Sequence, residues 1–103
     1  MKDDVILRRD TVAVRRQVMD PGEATPWHVD PHDRISVVLR GDELRIEFKD
    51  GGDPIQVTVH PGEVDWDEPG ERAHRAVNTG DSTYEEVTVF LLGEAAATLQ
   101  PGA

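Results

Sequence analysis

The sequence predicts an all-β domain, an antiparallel sandwich or barrel, on three observations. Short stretches of alternating apolar and polar residues recur along the chain. Turn-forming clusters separate them at even spacing. No segment sustains the period of an amphipathic helix.

The elements follow in order. Thr11 to Met19 is rich in β-branched residues, with Val12, Val14 and Val18 on one parity. Arg34 to Leu39 sets Ile35, Val37 and Leu39 on one face. Asp42 to Phe48 alternates Leu44, Ile46 and Phe48 with Glu43, Arg45 and Glu47. Ile55, Val57 and Val59 alternate with Gln56, Thr58 and His60, and Glu63 to Asp67, Ala73 to Asn78 and Tyr84 to Leu92 complete the series. The breakers are Asp20-Pro21-Gly22, Arg40-Gly41-Asp42, Asp50-Gly51-Gly52-Asp53, His60-Pro61-Gly62, Pro69-Gly70 and Thr79-Gly80-Asp81. Gly22, Gly41 and Gly62 sit where turns often need positive φ. At 103 residues this is one domain, with the barrel at about 11–92 and a tail at 93–103.

Composition narrows the function. Eleven basic against 21 acidic residues give a formal net charge of -10, which disfavours nucleic acid and anionic membranes as partners. Nine of the eleven basic residues are Arg, suited to bidentate carboxylate recognition if one lies in a pocket. With no Cys there is no disulfide and no thiolate chemistry. The N-terminal MKDDVILRRD has no apolar h-region and the longest apolar runs are far too short to span a membrane, so a cytoplasmic protein is expected.

The chemistry concentrates in PGEATPWHVDPHDRISVVLRG. His28, Asp30 and His32 alternate there, and in an extended strand residues two apart share a face. Two imidazoles and a carboxylate would project together, and His74 follows in PGERAHRAVN. His and carboxylate donors suit Zn²⁺, Mn²⁺, Fe²⁺ or Ni²⁺. Without a metal, Arg34, His28 and His74 would instead attract a small anionic ligand, with Asp30 orienting an imidazole or pairing with the Arg. An Arg at position 34 could equally face solvent.

These stretches resemble the cupin family. Its first motif is usually Gly, five residues, His-x-His, three or four residues, Glu, six residues, Gly. Here Gly22 is followed by five residues, His28-Val29-Asp30, Arg34 and Gly41. Its second motif is usually Gly, five residues, Pro-x-Gly, two residues, His, three residues, Asn. Here Gly62 leads to Pro69-Gly70-Glu71, His74 and Asn78, one residue longer before the proline. The resemblance implies a cupin-type double-stranded β-helix, or jelly-roll barrel, over nearly the whole chain. It implies a metal site of His28 and His74, with Asp30 at a position where the family carries His and Arg34 where it carries Glu.

Three functions follow as expectations. The first is a metal-dependent enzyme of dioxygenase, isomerase or lyase type, acting on a small polar, carboxylated metabolite. His28, Asp30 and His74 would hold the metal, His32 would add a ligand or general base, and Arg34 would hold the substrate carboxylate. The second is a metal-free small-molecule-binding cupin. The third is a structural or oligomerisation role, a homodimer being expected through sheet edges or exchanged N-terminal strands. Trp27 is expected in the core or an interface, Trp66 in the barrel wall, and His60 in solvent. Arg8-Arg9 and Arg15-Arg16 read as surface charge, and Tyr84 is a possible pocket residue.

Overall fold

A computed structural model describes residues 1–93. From residue 94 onward the expected tail lies outside the described residues. The strands are β1 (Lys2–Arg9), β2 (Val12–Met19), β3 (His28–Asp30), β4 (Asp33–Arg40), β5 (Glu43–Phe48), β6 (Ile55–Thr58), β7 (Val64–Asp67), β8 (Gly70–Asn78) and β9 (Tyr84–Leu91). They form two sheets, β1-β2-β9-β4-β7 and β3-β8-β5-β6, in which every pairing is antiparallel. The described residues are all β, as the alternation predicts, and their two sheets make the jelly-roll barrel that the resemblance implies.

Two strands were not legible in the pattern. β1 lies upstream of residue 11 and pairs with β2 through a tight turn in which Asp10 takes φ of 40°, a conformation Asp tolerates. All of β1 is exposed and it has no clean alternation to read. β3 is only three residues long. Pro31 follows it and has no N–H for the ladder, which ends there. His32 therefore falls in the bend before β4 rather than on a strand shared with His28 and Asp30.

The core is Met19, Val38, Leu44, Val59 and Tyr84, with Val57 and Ala76 packed against it. In β5 the inward residues are the expected Leu44 and Ile46. In β2 and β4 the apolar parity noted in the sequence is not the one that turns inward. Ala13 and Met19 are buried in β2, while Val12, Val14 and Val18 are only half-buried on the other face. In β4, Arg34, Ser36 and Val38 line the interior, and Ile35 and Val37 face outward. Alternation fixes the period of a strand but not which of its faces turns inward.

Gly41 shows how tightly the turns meet this core. Its φ is +136°, and a Cβ there would lie 2.7 Å from Cδ1 of the buried Tyr84. Gly41→Ala combines backbone strain with overpacking and is expected to cost about 2–4 kcal/mol in urea denaturation.

On the outer face, Glu85 accepts hydrogen bonds from Arg16 Nε at 2.6 Å and Arg40 Nε at 2.8 Å. The Arg16 guanidinium, then that of Arg40, holds the Glu85 carboxyl below the usual glutamate range. A depressed folded-state value contributes stability above the unfolded value and loses it as pH falls through the folded one. The melting-temperature gap between wild type and Glu85→Gln should be widest near neutral pH and close as pH drops below about 4.3. A gap independent of pH would contradict this.

Candidate metal centre

The segment after β2 runs along β8 and delivers the first histidine to the second. Gly22 N donates to Asn78 O, Asn78 N to Glu23 O, and Thr25 N to Ala76 O, all at 2.8–2.9 Å. His28 then pairs directly with His74 across the β3–β8 ladder. Their ring centroids are 4.6 Å apart. The ladder shifts register after His28, so that Asp30 lies opposite Gly70.

Each imidazole is held by main chain. His28 Nδ1 donates to Pro26 O at 2.7 Å, and His74 Nδ1 donates to Arg72 O at 2.8 Å. A carbonyl only accepts, so both Nδ1 atoms carry hydrogen and each neutral ring has its lone pair on Nε2. Those lone pairs converge on Asp30. His74 Nε2 is 2.8 Å from Asp30 Oδ2, and His28 Nε2 is 3.6 Å from Asp30 Oδ1. One ligand atom from each of the three residues falls within 4.8 Å of the others.

Three such groups facing one another could share a cation between them. Metal-bound imidazoles typically donate the other ring N–H to a carbonyl or carboxylate, the arrangement found here. An ion with bonds near 2.1 Å spaces adjacent donors roughly 3.0–3.4 Å apart, and the two imidazoles stand 2.8 and 3.6 Å from the two Asp30 oxygens, one a little inside and one a little outside that range. The donor set fits a divalent ion.

Arg34 enters the same group. Its side chain is 19% exposed, so the solvent-facing alternative does not hold, and its Nη2 lies 3.3 Å from Asp30 Oδ2 and 3.7 Å from Asp67 Oδ2. Asp30 thus both faces the imidazoles and pairs with the Arg. His32 belongs neither to the three-residue group nor to the lining of the cavity.

The four grouped residues open into a cavity of about 760 Å³ between the sheets, within the size range of small-molecule sites. Leu44, Ile46, Val57 and Val59 line it from one sheet, and Val38, Tyr84 and Phe90 from the other. Burial pushes the Tyr84 hydroxyl far above its ordinary range, with Glu86 adding to the effect, so Tyr84 is a neutral phenol in this cavity.

The cavity also holds charge that the sequence had placed on the surface. Arg15 lines it with its guanidinium over the Phe90 ring, 3.5 Å from Asp3 and 3.8 Å from Glu86. Gln17 is buried beside it. The signal that could have found them is their shared parity with Met19, opposite the valines. Arg16 points outward as expected. Trp66 is not core: it is 58% exposed and its Nε1 donates to Asp33 Oδ1 at 3.2 Å, although it borders the cavity. Trp27 is also partly exposed, beneath the Arg75 guanidinium, whereas His60 is in solvent as expected.

Residues 15–90 match the cupin domain, and the chain belongs to that family. Folds of this family often bind small ligands, form oligomers and hold divalent metals. The fold is similar to a cupin domain from Bordetella pertussis Tohama I, at 21% identity, TM-score 0.78, and 87% of this chain and 91% of that one covered. It is also similar to a Klebsiella pneumoniae protein with a double-stranded β-helix domain, at 25% identity, TM-score 0.68, and 91% and 78% covered. A third likeness is to oxalate oxidase in complex with the substrate analogue glycolate, at 25% identity and TM-score 0.61, over 80% of this chain and 42% of that one. No curated protein matches the chain. Among the described residues, no helix is long and apolar enough to cross a membrane.

Proposed function

We propose that this cupin binds a divalent metal through His28, Asp30 and His74 and acts on a small carboxylate-bearing metabolite held in the barrel cavity. The carrying observation is the convergence of two Nε2 lone pairs and a carboxylate whose imidazoles have both committed Nδ1–H to main-chain carbonyls. A proton could join one imidazole to Asp30, whereas a divalent ion could engage all three donors at once. A bound divalent ion would supply Lewis acidity toward a ligand oxygen, with coordination positions left open by a three-residue donor set.

The chain's own residues supply orientation. Arg34 makes only long ion-pair contacts, so its guanidinium retains donors to receive a ligand carboxylate beside the three metal ligands. Leu44, Ile46, Val57 and Val59 offer the bound molecule an apolar wall, and the Tyr84 hydroxyl presents a neutral donor in the same cavity. The glycolate-bound oxalate oxidase is one similar fold that takes a small hydroxy acid. The proposal gives His32 no role.

A second reading has its own observation. Arg34 and an imidazolium at His74 would together balance Asp30 without a metal, as in a metal-free binding pocket. Equilibrium dialysis against Zn²⁺ and Mn²⁺, read by plasma mass spectrometry, separates the two. Wild type should retain about one ion per chain and His28→Ala/His74→Ala at least about 100-fold less at the same free metal. Equal retention by both proteins would leave the metal-free pocket as the better reading.

A further inference from the structure

The cavity is charged unevenly along its length. Six carboxylates line it, those of Asp3, Asp30, Glu63, Asp65, Asp67 and Glu86, against the guanidiniums of Arg15 and Arg34. The excess is four negative charges, and a divalent ion at His28, Asp30 and His74 would cancel two of them. A ligand carboxylate at Arg34 would add one back. Like charges in a cleft with low-dielectric walls repel more strongly than the same charges in water.

The ladder pairings divide the cavity into levels, because directly paired residues of an antiparallel ladder project on the same side. Asp67, Arg34 and Phe90 lie at the level of the metal centre. Asp65, Ser36, Thr88 and Arg15 make the next level, about 7 Å further in at about 3.3 Å per residue. Val38, Glu86 and Gln17 make the third, where Glu63 O accepts from Val38 N. At the first level Asp30 and Asp67 share Arg34. Further in, Arg15 is the one base, 3.5 Å from Asp3 and 3.8 Å from Glu86. Asp65 has no cation acting on it. Burial, then the charges of Glu63 and Asp67, push its carboxyl above the ordinary aspartate range.

Tyr84 is an independent sign of a ligand at this inner end. It is 4% exposed and lines the cavity, yet its hydroxyl makes no hydrogen bond to any described residue. A buried phenol ordinarily has a partner. The charges that act on it are those of Glu86, Arg15, Asp65 and Glu63, which sets it at the inner levels. A hydroxyl can accept from an ammonium while donating to a carboxylate.

We propose that the molecule held in this cavity is zwitterionic, with its carboxylate at Arg34 and an ammonium group at its other end among Glu63, Asp65, Glu86 and the Tyr84 hydroxyl. The carboxylate half rests on the function proposed above, and the ammonium half does not. Between the two ends, Leu44, Ile46, Val57 and Val59 offer an apolar wall to a chain of methylene groups. The competing occupant is a dianion that reaches Arg15, whose buried Nε also lacks a hydrogen bond.

Titration calorimetry of the full chain with probes of equal length decides between them. In the presence of Zn²⁺, 6-aminohexanoate should bind at least about tenfold tighter than hexanoate or adipate. Pentylammonium, tested without Zn²⁺, should bind at least about tenfold tighter than pentanol, and equally well to Arg34→Met. This arm reads the inner end apart from the metal and the carboxylate. Asp65→Asn and Glu86→Gln should each weaken both amines at least about fivefold and leave hexanoate unweakened. Asp65 is exposed, so Asp65→Asn should keep the wild-type circular dichroism and carries the test if Glu86→Gln does not fold. Pentylammonium that binds where hexanoate does not would uphold the ammonium subsite and overturn the carboxylate reading. Adipate or hexanoate that matches 6-aminohexanoate, pentylammonium no tighter than pentanol, or amine binding indifferent to Asp65→Asn overturns the proposal.

Discussion

Arg34→Glu is expected to tighten divalent-metal binding by at least about 100-fold. The Arg34 guanidinium lies 3.3 Å from Asp30 Oδ2, so a metal held by Asp30 is held beside a cation. Two unit charges about 4 Å apart interact by about 4 kcal/mol at an effective dielectric near 20. The substitution turns a repulsion of that order into an attraction. Even about half of the combined swing exceeds the roughly 2.8 kcal/mol of a 100-fold change. It also frees Asp30 from its ion pair and offers a fourth donor. Without metal, the introduced carboxylate would crowd Asp30 and Asp67, so the apo variant should melt below wild type and recover on adding Zn²⁺. Arg34→Met removes the charge without adding a donor and should bind at intermediate strength. Titration calorimetry in which Arg34→Glu binds no tighter than wild type would show that the guanidinium does not oppose the ion.

Asn78→Ala is expected to lower the melting temperature by at least about 15 °C. Asn78 is 1% exposed. Its Nδ2 donates to Met19 O at 2.9 Å and Ser82 O at 3.0 Å, and its Oδ1 accepts from Gly80 N at 3.0 Å. The truncation strands three main-chain groups, one at the end of β2 and two in the loop between β8 and β9. At about 1–3 kcal/mol for each unsatisfied buried group, the loss is near 4 kcal/mol, a large part of the 5–15 kcal/mol that stabilises a typical domain. For a domain of this size each kcal/mol moves the midpoint by about 4–8 °C. Asn78→Asp should fare no better, because two of the three partners are carbonyls that a carboxylate cannot satisfy. A drop of less than about 5 °C in calorimetry would mean that water replaces the side chain at no great cost.

Apart from β3, the strands from Thr11 onward were legible because most alternate and turn clusters separate them. Their facing was not. Val12, Val14 and Val18, like Ile35, Val37 and Leu39, look like core to any hydrophobic pattern, yet only the motif that places Arg34 at a ligand position says which way β4 is turned. Taken seriously, that position sends Ile35 and Val37 outward, and the conflict between pattern and motif was present in the residues themselves. His28, Asp30 and His74, at the positions the motif marks, do lie together. His32 does not join them, since Pro31 ends the strand between. Arg15 was read with Arg16 as surface charge, because charge among valines reads as surface unless the inner face is known to be polar.

The carbonyls that hold the two imidazoles, Pro26 O and Arg72 O, belong to the main chain. No substitution at either residue deletes an oxygen, so the aim of both Nε2 atoms is insulated from side-chain change around them. Positions 30 and 34 can then exchange charge, size or donor type while the rings keep their bearing. The barrel thus separates where a ligand atom is pointed from what it is asked to bind, and chemistry can drift here without the scaffold being rebuilt.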